Sequence, residues 1–205
     1  MAPGTRQSLK TALRDRFWRA AEGLPPGLSM PMLHWRARRY DPVFFDTYAS
    51  LLPRGGTVVD VGAHRGLLAW MARRKGCEVL AFEPNPDNFR LLRRLEGPGF
   101  SCFQIALSDA PGRATFAVAR DPDGAEMSES GSLMPGDGAD GTARRYEVEV
   151  STLDARELPR LDFLKIDVEG AEHLVLAGAR KTIERCRPAM FIEVNADETG
   201  QAYLQ

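Results

Sequence analysis

The strongest constraint on the fold is an alternation that begins at Thr57, in which short β-branched and aliphatic runs are separated by amphipathic segments of ten to fifteen residues. Successive strands that run the same way need a crossover long enough to hold a helix, so this pattern specifies βαβ units and a parallel sheet with helices on both faces. Residues 57–61 read as a first strand closed by Gly62, 67–75 as the helix after it, and 78–82 as a second strand. Residues 86–96 form a second helix, with Phe89, Leu92 and Leu95 on one side and Arg90, Arg93 and Arg94 toward water, and 100–105 form a third strand. The alternation then breaks. Residues 113–119 and 146–151 alternate apolar and polar side chains and read as an antiparallel hairpin inserted before the fourth strand. The parallel pattern resumes with a strand at 161–167, a helix at 170–184 and a fifth strand at 189–195.

Two stretches stand apart from this frame. Residues 121–141 hold six acids, no basic residue, five glycines and two prolines, a composition that cannot bury enough apolar surface to fold alone. A mobile loop is expected, either a plain insertion or a substrate lid with Ser132 among its contact points. The first forty residues carry eight basic and two acidic side chains against 19 and 26 in the remainder, which marks 1–40 as a basic appendage to a domain spanning 41–205. Leu9, Leu13 and Phe17 at four-residue spacing suggest an amphipathic helix over 8–22, ended by Pro25-Pro26-Gly27. That helix either packs on the domain or touches anionic lipid or a protein partner.

Composition excludes several classes. The formal charge of −1 argues against holding nucleic acid by bulk electrostatics. No apolar run approaches the roughly 20 residues of a membrane span, and the N-terminus lacks the apolar core of a secretory signal. Cys77, Cys102 and Cys186 are odd in number and far apart, which fits reduced thiols in a cytoplasmic protein rather than a disulfide framework or a zinc site.

The first strand runs into Asp60-Val61-Gly62-Ala63-His64-Arg65-Gly66. A dinucleotide fingerprint, GxGxxG, would need glycines where His64 and Leu67 stand, so a pyrophosphate-bearing nicotinamide cofactor is not expected. The looser acid-x-Gly-x-x-x-Gly turn suits a sulfonium nucleoside, whose cationic amino acid end is favoured by Asp60. His64 occupies a position where left-handed backbone is needed, which histidine tolerates better than most residues. Glu83, 21 positions after Gly62 at the end of the second strand, can accept hydrogen bonds from both ribose hydroxyls. Lys165, Asp167 and Glu169 recur at period two in a strand that should be apolar, so they line the ligand edge, where Glu193 and Asn195 of the fifth strand point as well.

Taken in order, VVDVGAHRG (58–66), AFEPNP (81–86), ALSD (106–109), STLD (151–154), LDFLKIDVEGAE (161–172) and FIEVN (191–195) resemble the FkbM-type family of S-adenosylmethionine-dependent methyltransferases. The resemblance implies a class I, Rossmann-like fold and O-methylation of hydroxyls on sugars, glycolipids or polyketide natural products. It carries a cofactor role to Asp60, Gly62, Gly66 and Glu83 and an active-site role to Asp167 and Glu169. His64 replaces the asparagine common in this loop. Ala106 stands near where many methyltransferases place an acid against adenine, so the backbone around Ala106 and Leu107 is expected to hold that ring instead.

Methyl transfer to a hydroxyl needs alignment and a base, with Asp167 as first choice and Glu169, Glu193 and His64 behind it. A divalent ion on Asp167, Glu193 and Asn195 is the less favoured route, and no metal is expected. A nucleic-acid base methyltransferase would carry Asn/Asp-Pro-Pro-Tyr after the fourth strand, where this chain has Asp167-Val168-Glu169-Gly170. A binding protein that kept the fold without turnover is the alternative of a different class. The sixth and seventh strands of such a sheet are not seen in the sequence, which predicts exposed apolar surface beside 191–194 and a partner or second copy covering it.

Overall fold

The computed structural model describes Ala21 and residues 23–120, 126–134 and 144–193. The helix expected at 8–22 and the site candidate Asn195 lie outside the described residues, and of the Ser132 side chain nothing is described. The chain divides into two compact units, Met1–Ser50 and Leu51–Gln205.

Helices α1 (Pro26–Tyr40) and α2 (Pro42–Leu51) occupy a stretch that the sequence reading left unassigned. Pro25-Pro26 starts a helix there. Pro26 sits in the first turn, where its fixed φ suits the helix and its missing N–H is not needed. Asp41 accepts from the Phe44 N–H at 2.9 Å and caps α2.

The second unit contains β1 (Thr57–Val61), α3 (Leu67–Arg74), β2 (Glu78–Phe82), α4 (Pro86–Leu92), β3 (Phe100–Phe103), β4 (Ala106–Leu107), β5 (Gly112–Arg120), β6 (Glu126–Met134), β7 (Arg144–Ser151), β8 (Phe163–Ile166), α5 (Glu172–Gly178), α6 (Arg180–Cys186) and β9 (Ala189–Ile192). The main sheet has the order β3-β2-β1-β8-β9, with every pair parallel. This is the α/β architecture expected from the alternation. Val58, Val59, Val61, Val79, Phe82, Phe163, Leu164 and Ile166 are fully buried, as central parallel strands covered on two sides require. At the far edge, among the described residues, β9 leaves Met190 45% exposed.

Five expectations need correction. The stretch expected to be a loop includes β6, paired antiparallel with β5 from Thr115↔Met134 to Val118↔Gly131. Edge pairing needs only backbone N–H and C=O groups, so a composition argument based on side-chain burial misses it. The insertion is therefore a four-stranded sheet of order β4-β7-β5-β6 with its own small core of Ala106, Phe116, Val118, Val148 and Val150, not a two-stranded hairpin. The helix expected over 170–184 is two helices. The Asp154 carboxylate accepts from the Lys181 and Thr182 N–H groups at 3.0 and 2.8 Å, capping a new helix start at Ala179 from a distant segment. Likewise the second helix gives way to a 3-10 turn at Arg93–Leu95, and the third strand stops at Phe103.

Gly178 fixes how α5 meets the second sheet. Any Cβ there would fall inside contact distance of the Ser108 carbonyl, just beyond β4.

Candidate active site

In this strand order the chain leaves β1 toward β2 on one side, while β8 lies on the other, so β1 and β8 flank the point where connections change direction. Ligands of open α/β sheets bind outside the carboxyl ends of strands at that point. The register places Asp60 of β1 directly beside Lys165 of β8. Both are almost completely buried. Lys165 Nζ lies 3.1 Å from Asp60 Oδ1 and 3.3 Å from Asp167 Oδ2, and it donates to the Gly62 carbonyl at 2.7 Å. One ammonium thus ties the floor of the β1 turn to the end of β8. Burial works against its charge, but Asp60 and Asp167 together outweigh that penalty and hold its pKa above the ordinary lysine value.

The turn after β1 is built on left-handed backbone. Gly62 has φ +73°, and a Cβ there would collide with the Asp167 carbonyl, so only glycine lets the two strand ends approach. His64 has φ +52°, as its place in the loop predicted. Its backbone N–H donates to Glu83 Oε2 at 2.7 Å. Gly66, at φ +87°, precedes α3.

Glu83 is 4% exposed at the end of β2. Its other oxygen accepts from the Asn85 N–H at 3.0 Å, and Asn85 in turn caps α4 by accepting from Asp87 N–H at 2.9 Å. Burial raises the Glu83 pKa to about 7, against the pull of these hydrogen bonds. Each carboxylate oxygen has a second lone pair. The Asn88 side chain donates to this group as well, and a ligand with two adjacent hydroxyl donors would fit the lone pairs that remain.

Past β8, Glu169 at φ +54° and Gly170 at φ +96° turn the chain sharply, and the Glu172 side chain accepts from the Gly170 N–H at 3.0 Å. Glu169 is exposed on this turn. Glu193 follows β9, with its N–H donating to the Ile166 carbonyl at 3.0 Å. Burial raises its pKa, and the charge of Asp167 adds to the rise while Lys165 opposes it, so Glu193 belongs to the same cluster.

The structure therefore gathers Asp60, Gly62, His64, Glu83, Asp167, Glu169 and Glu193 along one sheet edge. Ala106 and Leu107 lie in β4, with their side chains in the two cores and their backbone paired with β7. Among the described residues, no three His, Cys, Asp or Glu side chains converge as a metal site requires. Sequence reasoning placed Lys165 at the ligand edge but gave it no part in the site. The signal was there, an ammonium in a strand that must be buried.

Residues 60–204 match the family described as the Methyltransferase FkbM domain. The chain belongs to the FkbM methyltransferase family. It is 27% identical over 198 residues to the 2-O-methyltransferase NoeI of Sinorhizobium fredii, a match covering 89% of this chain and 77% of that protein. A shorter match, 57% identical over 44 residues, is to a tRNA (guanine(37)-N(1))-methyltransferase of Danio rerio and covers 22% of this chain and 9% of that one. Among solved structures it is similar to a methyltransferase FkbM from Methylobacillus flagellatus KT, with TM-score 0.49 and 20% identity. That match takes in 72% of this chain but only 37% of the crystallised protein. No helix among the described residues is long and apolar enough to cross a membrane.

Proposed function

We propose that this FkbM-family chain transfers the methyl group of S-adenosylmethionine to a hydroxyl on a sugar, glycolipid or polyketide-type acceptor. The observation that carries the reading is the buried Glu83 carboxylate at the end of β2, held by the His64 and Asn85 N–H groups beside the Asp60–Lys165–Asp167 cluster. The name of the 27% identical relative, a 2-O-methyltransferase, supports oxygen as the acceptor atom.

When bound, the cofactor supplies an electrophilic methyl on a sulfonium. The chain's own residues do the rest. Glu83 takes the ribose hydroxyls, and Asp60 favours the cationic amino group through its negative charge. The chain around Ala106 and Leu107 would border the adenine. Lys165 keeps the Gly62 turn and the end of β8 in fixed relation, which sets the position of Asp167. Asp167, only partly exposed, would take the proton of the acceptor hydroxyl, and Glu193 is the next carboxylate along the edge.

Calorimetry with S-adenosylhomocysteine tests the cofactor assignment. Glu83→Ala should weaken binding roughly ten- to 100-fold, the range for hydrogen bonds to a charged group. Unchanged tight binding in the variant removes the ribose assignment. Transfer from a methyl-labelled donor to glycan and glycolipid hydroxyls should fall about 100-fold or more in Asp167→Asn with cofactor affinity retained. Cofactor binding without transfer to any hydroxyl acceptor would instead favour a non-catalytic binding protein.

A further inference from the structure

On the same sheet edge, beyond Glu83, lies a cleft of about 360 Å³ that the proposed chemistry does not use. Pro86 and Phe89 of α4 and Gln104 just past β3 form part of its lining, and Arg90, Arg93 and Arg94 complete it. The arginines are spaced three and four residues apart, so they fall on one side of the helix as it tightens into its 3-10 end. All three are exposed. Among the described residues, the guanidinium groups of Arg90 and Arg93 have no ion-pair partner. Glu96, two residues past Arg94, is exposed, and the acid nearest Arg90 in sequence, Asp87, is already engaged. It takes a hydrogen bond from the Tyr146 hydroxyl at 3.0 Å and lies 3.4 Å from an Arg144 nitrogen. Cations at the carboxyl end of a helix are stabilised by its dipole, which favours Arg90 and Arg93 at this position.

Planar guanidinium groups beside a half-apolar cleft are suited to an oxyanion that can accept two parallel hydrogen bonds, and phosphoryl groups are the best match. Pro86 follows Glu83 by three residues, so the cleft lies beyond the residue assigned above to the cofactor ribose. We propose that Arg90, Arg93 and Arg94 form a subsite for a ligand carrying a phosphoryl or diphosphoryl group. This goes beyond the methyltransferase reading. The anion site itself does not depend on that reading.

The test measures anion binding apart from turnover. Inorganic pyrophosphate is titrated into the full chain in phosphate-free buffer while the amide resonances of Phe89, Arg90 and Arg93 are followed. Saturable shifts are expected, weakened about tenfold or more in Arg90→Ala/Arg93→Ala and weakened also by added salt. Arg90→Lys/Arg93→Lys should recover part of the affinity, since charge returns without the fork. Unaltered thermal midpoints and S-adenosylhomocysteine binding in these variants would show that the fold and the cofactor site are intact. Loss of cofactor binding in the unmodified chain would count against the methyltransferase reading while leaving the anion subsite standing. Sedimentation with phosphatidylcholine vesicles containing phosphatidylglycerol separates the sources. Arginine-dependent sedimentation would assign the phosphoryl group to a lipid headgroup, and pyrophosphate binding alone to a soluble phosphoryl compound. Equal pyrophosphate binding in the alanine variant, or no binding of either probe, overturns the proposal. So does arginine-dependent capture of a single-stranded oligonucleotide by a chain that ignores pyrophosphate.

Discussion

Replacing Lys165 by methionine isolates the ion cluster at the centre of the site. The side chain keeps its length and loses its charge, while Asp60 stays behind with 0% exposure and no other cation in reach among the described residues. At 3.1 Å and an effective dielectric of about 20, the Asp60–Lys165 attraction is roughly 5 kcal/mol, and the desolvation of both groups opposes it. Removing one member of such a pair leaves a buried charge uncompensated, and losses of about 3–5 kcal/mol are typical. Against the usual total of about 5–15 kcal/mol, that leaves a marginal fold at neutral pH. The pH dependence gives a second handle. Without its ammonium, Asp60 takes up a proton more readily in the folded than in the unfolded chain, so the deficit of the variant should shrink as pH falls toward ordinary carboxylate values. Urea unfolding of the wild type, Lys165→Met, Asp60→Asn and the double variant closes the cycle. The double variant should lose far less than the sum of the singles. A Lys165→Met loss under about 1 kcal/mol, or strict additivity, would refute the pairing argument.

Glu83 predicts a pH effect of its own on the cofactor-free chain. Its pKa is raised from 4.5 to about 7 in the fold, so between those values the folded state holds a proton that the unfolded state has released. Stability should therefore fall as pH rises from about 4.5 to 7, by about 3 kcal/mol from this group, and Glu83→Gln should flatten that part of the urea midpoint profile. Gly62→Ala combines a left-handed φ with a collision against the Asp167 carbonyl, so the variant should lose several kcal/mol or fail to accumulate as folded protein. A circular-dichroism melt within a few degrees of the wild type would contradict the close approach of β1 and β8. Burial pushes the Cys102 thiol up to about 12, so mass-spectrometric footprinting with iodoacetamide near pH 8 should leave Cys102 unmodified until the chain is unfolded.

The main sheet was legible because a parallel strand covered on both sides writes its burial into consecutive residues. Thr57–Val61 and Glu78–Phe82 begin and end where the apolar runs do, with glycine, proline or charge on either side. Elements whose limits depend on partners far away in sequence were not legible. Asp154 is 27 residues from the Lys181 N–H that it caps, so nothing local announces the break at Ala179. Strand β6 exists through backbone pairing with β5, and its own composition of serine, glycine and glutamate reads as loop.

The site divides the same way, into conformational signals carried locally and electrostatic ones that require the sheet. A residue in the left-handed region can be read from the loop itself, and His64 was placed there on that ground. The spacing of Gly62 and Glu83 likewise put an acid at the right strand end without reference to any contact. The role of Lys165 could not be obtained in this way. Its period-two relation to Asp167 is visible in the chain, but its closest carboxylate belongs to a strand more than a hundred residues earlier and meets it only through the Asp60↔Lys165 register. A lone lysine in that strand would be a costly burial; with two carboxylates and the Gly62 carbonyl around it, the same lysine joins the ends of β1 and β8 into one rigid edge. A methyl transfer in which the protein mainly aligns its reactants depends on that rigidity, so variants of Lys165 should impair turnover even where folding is rescued by pH.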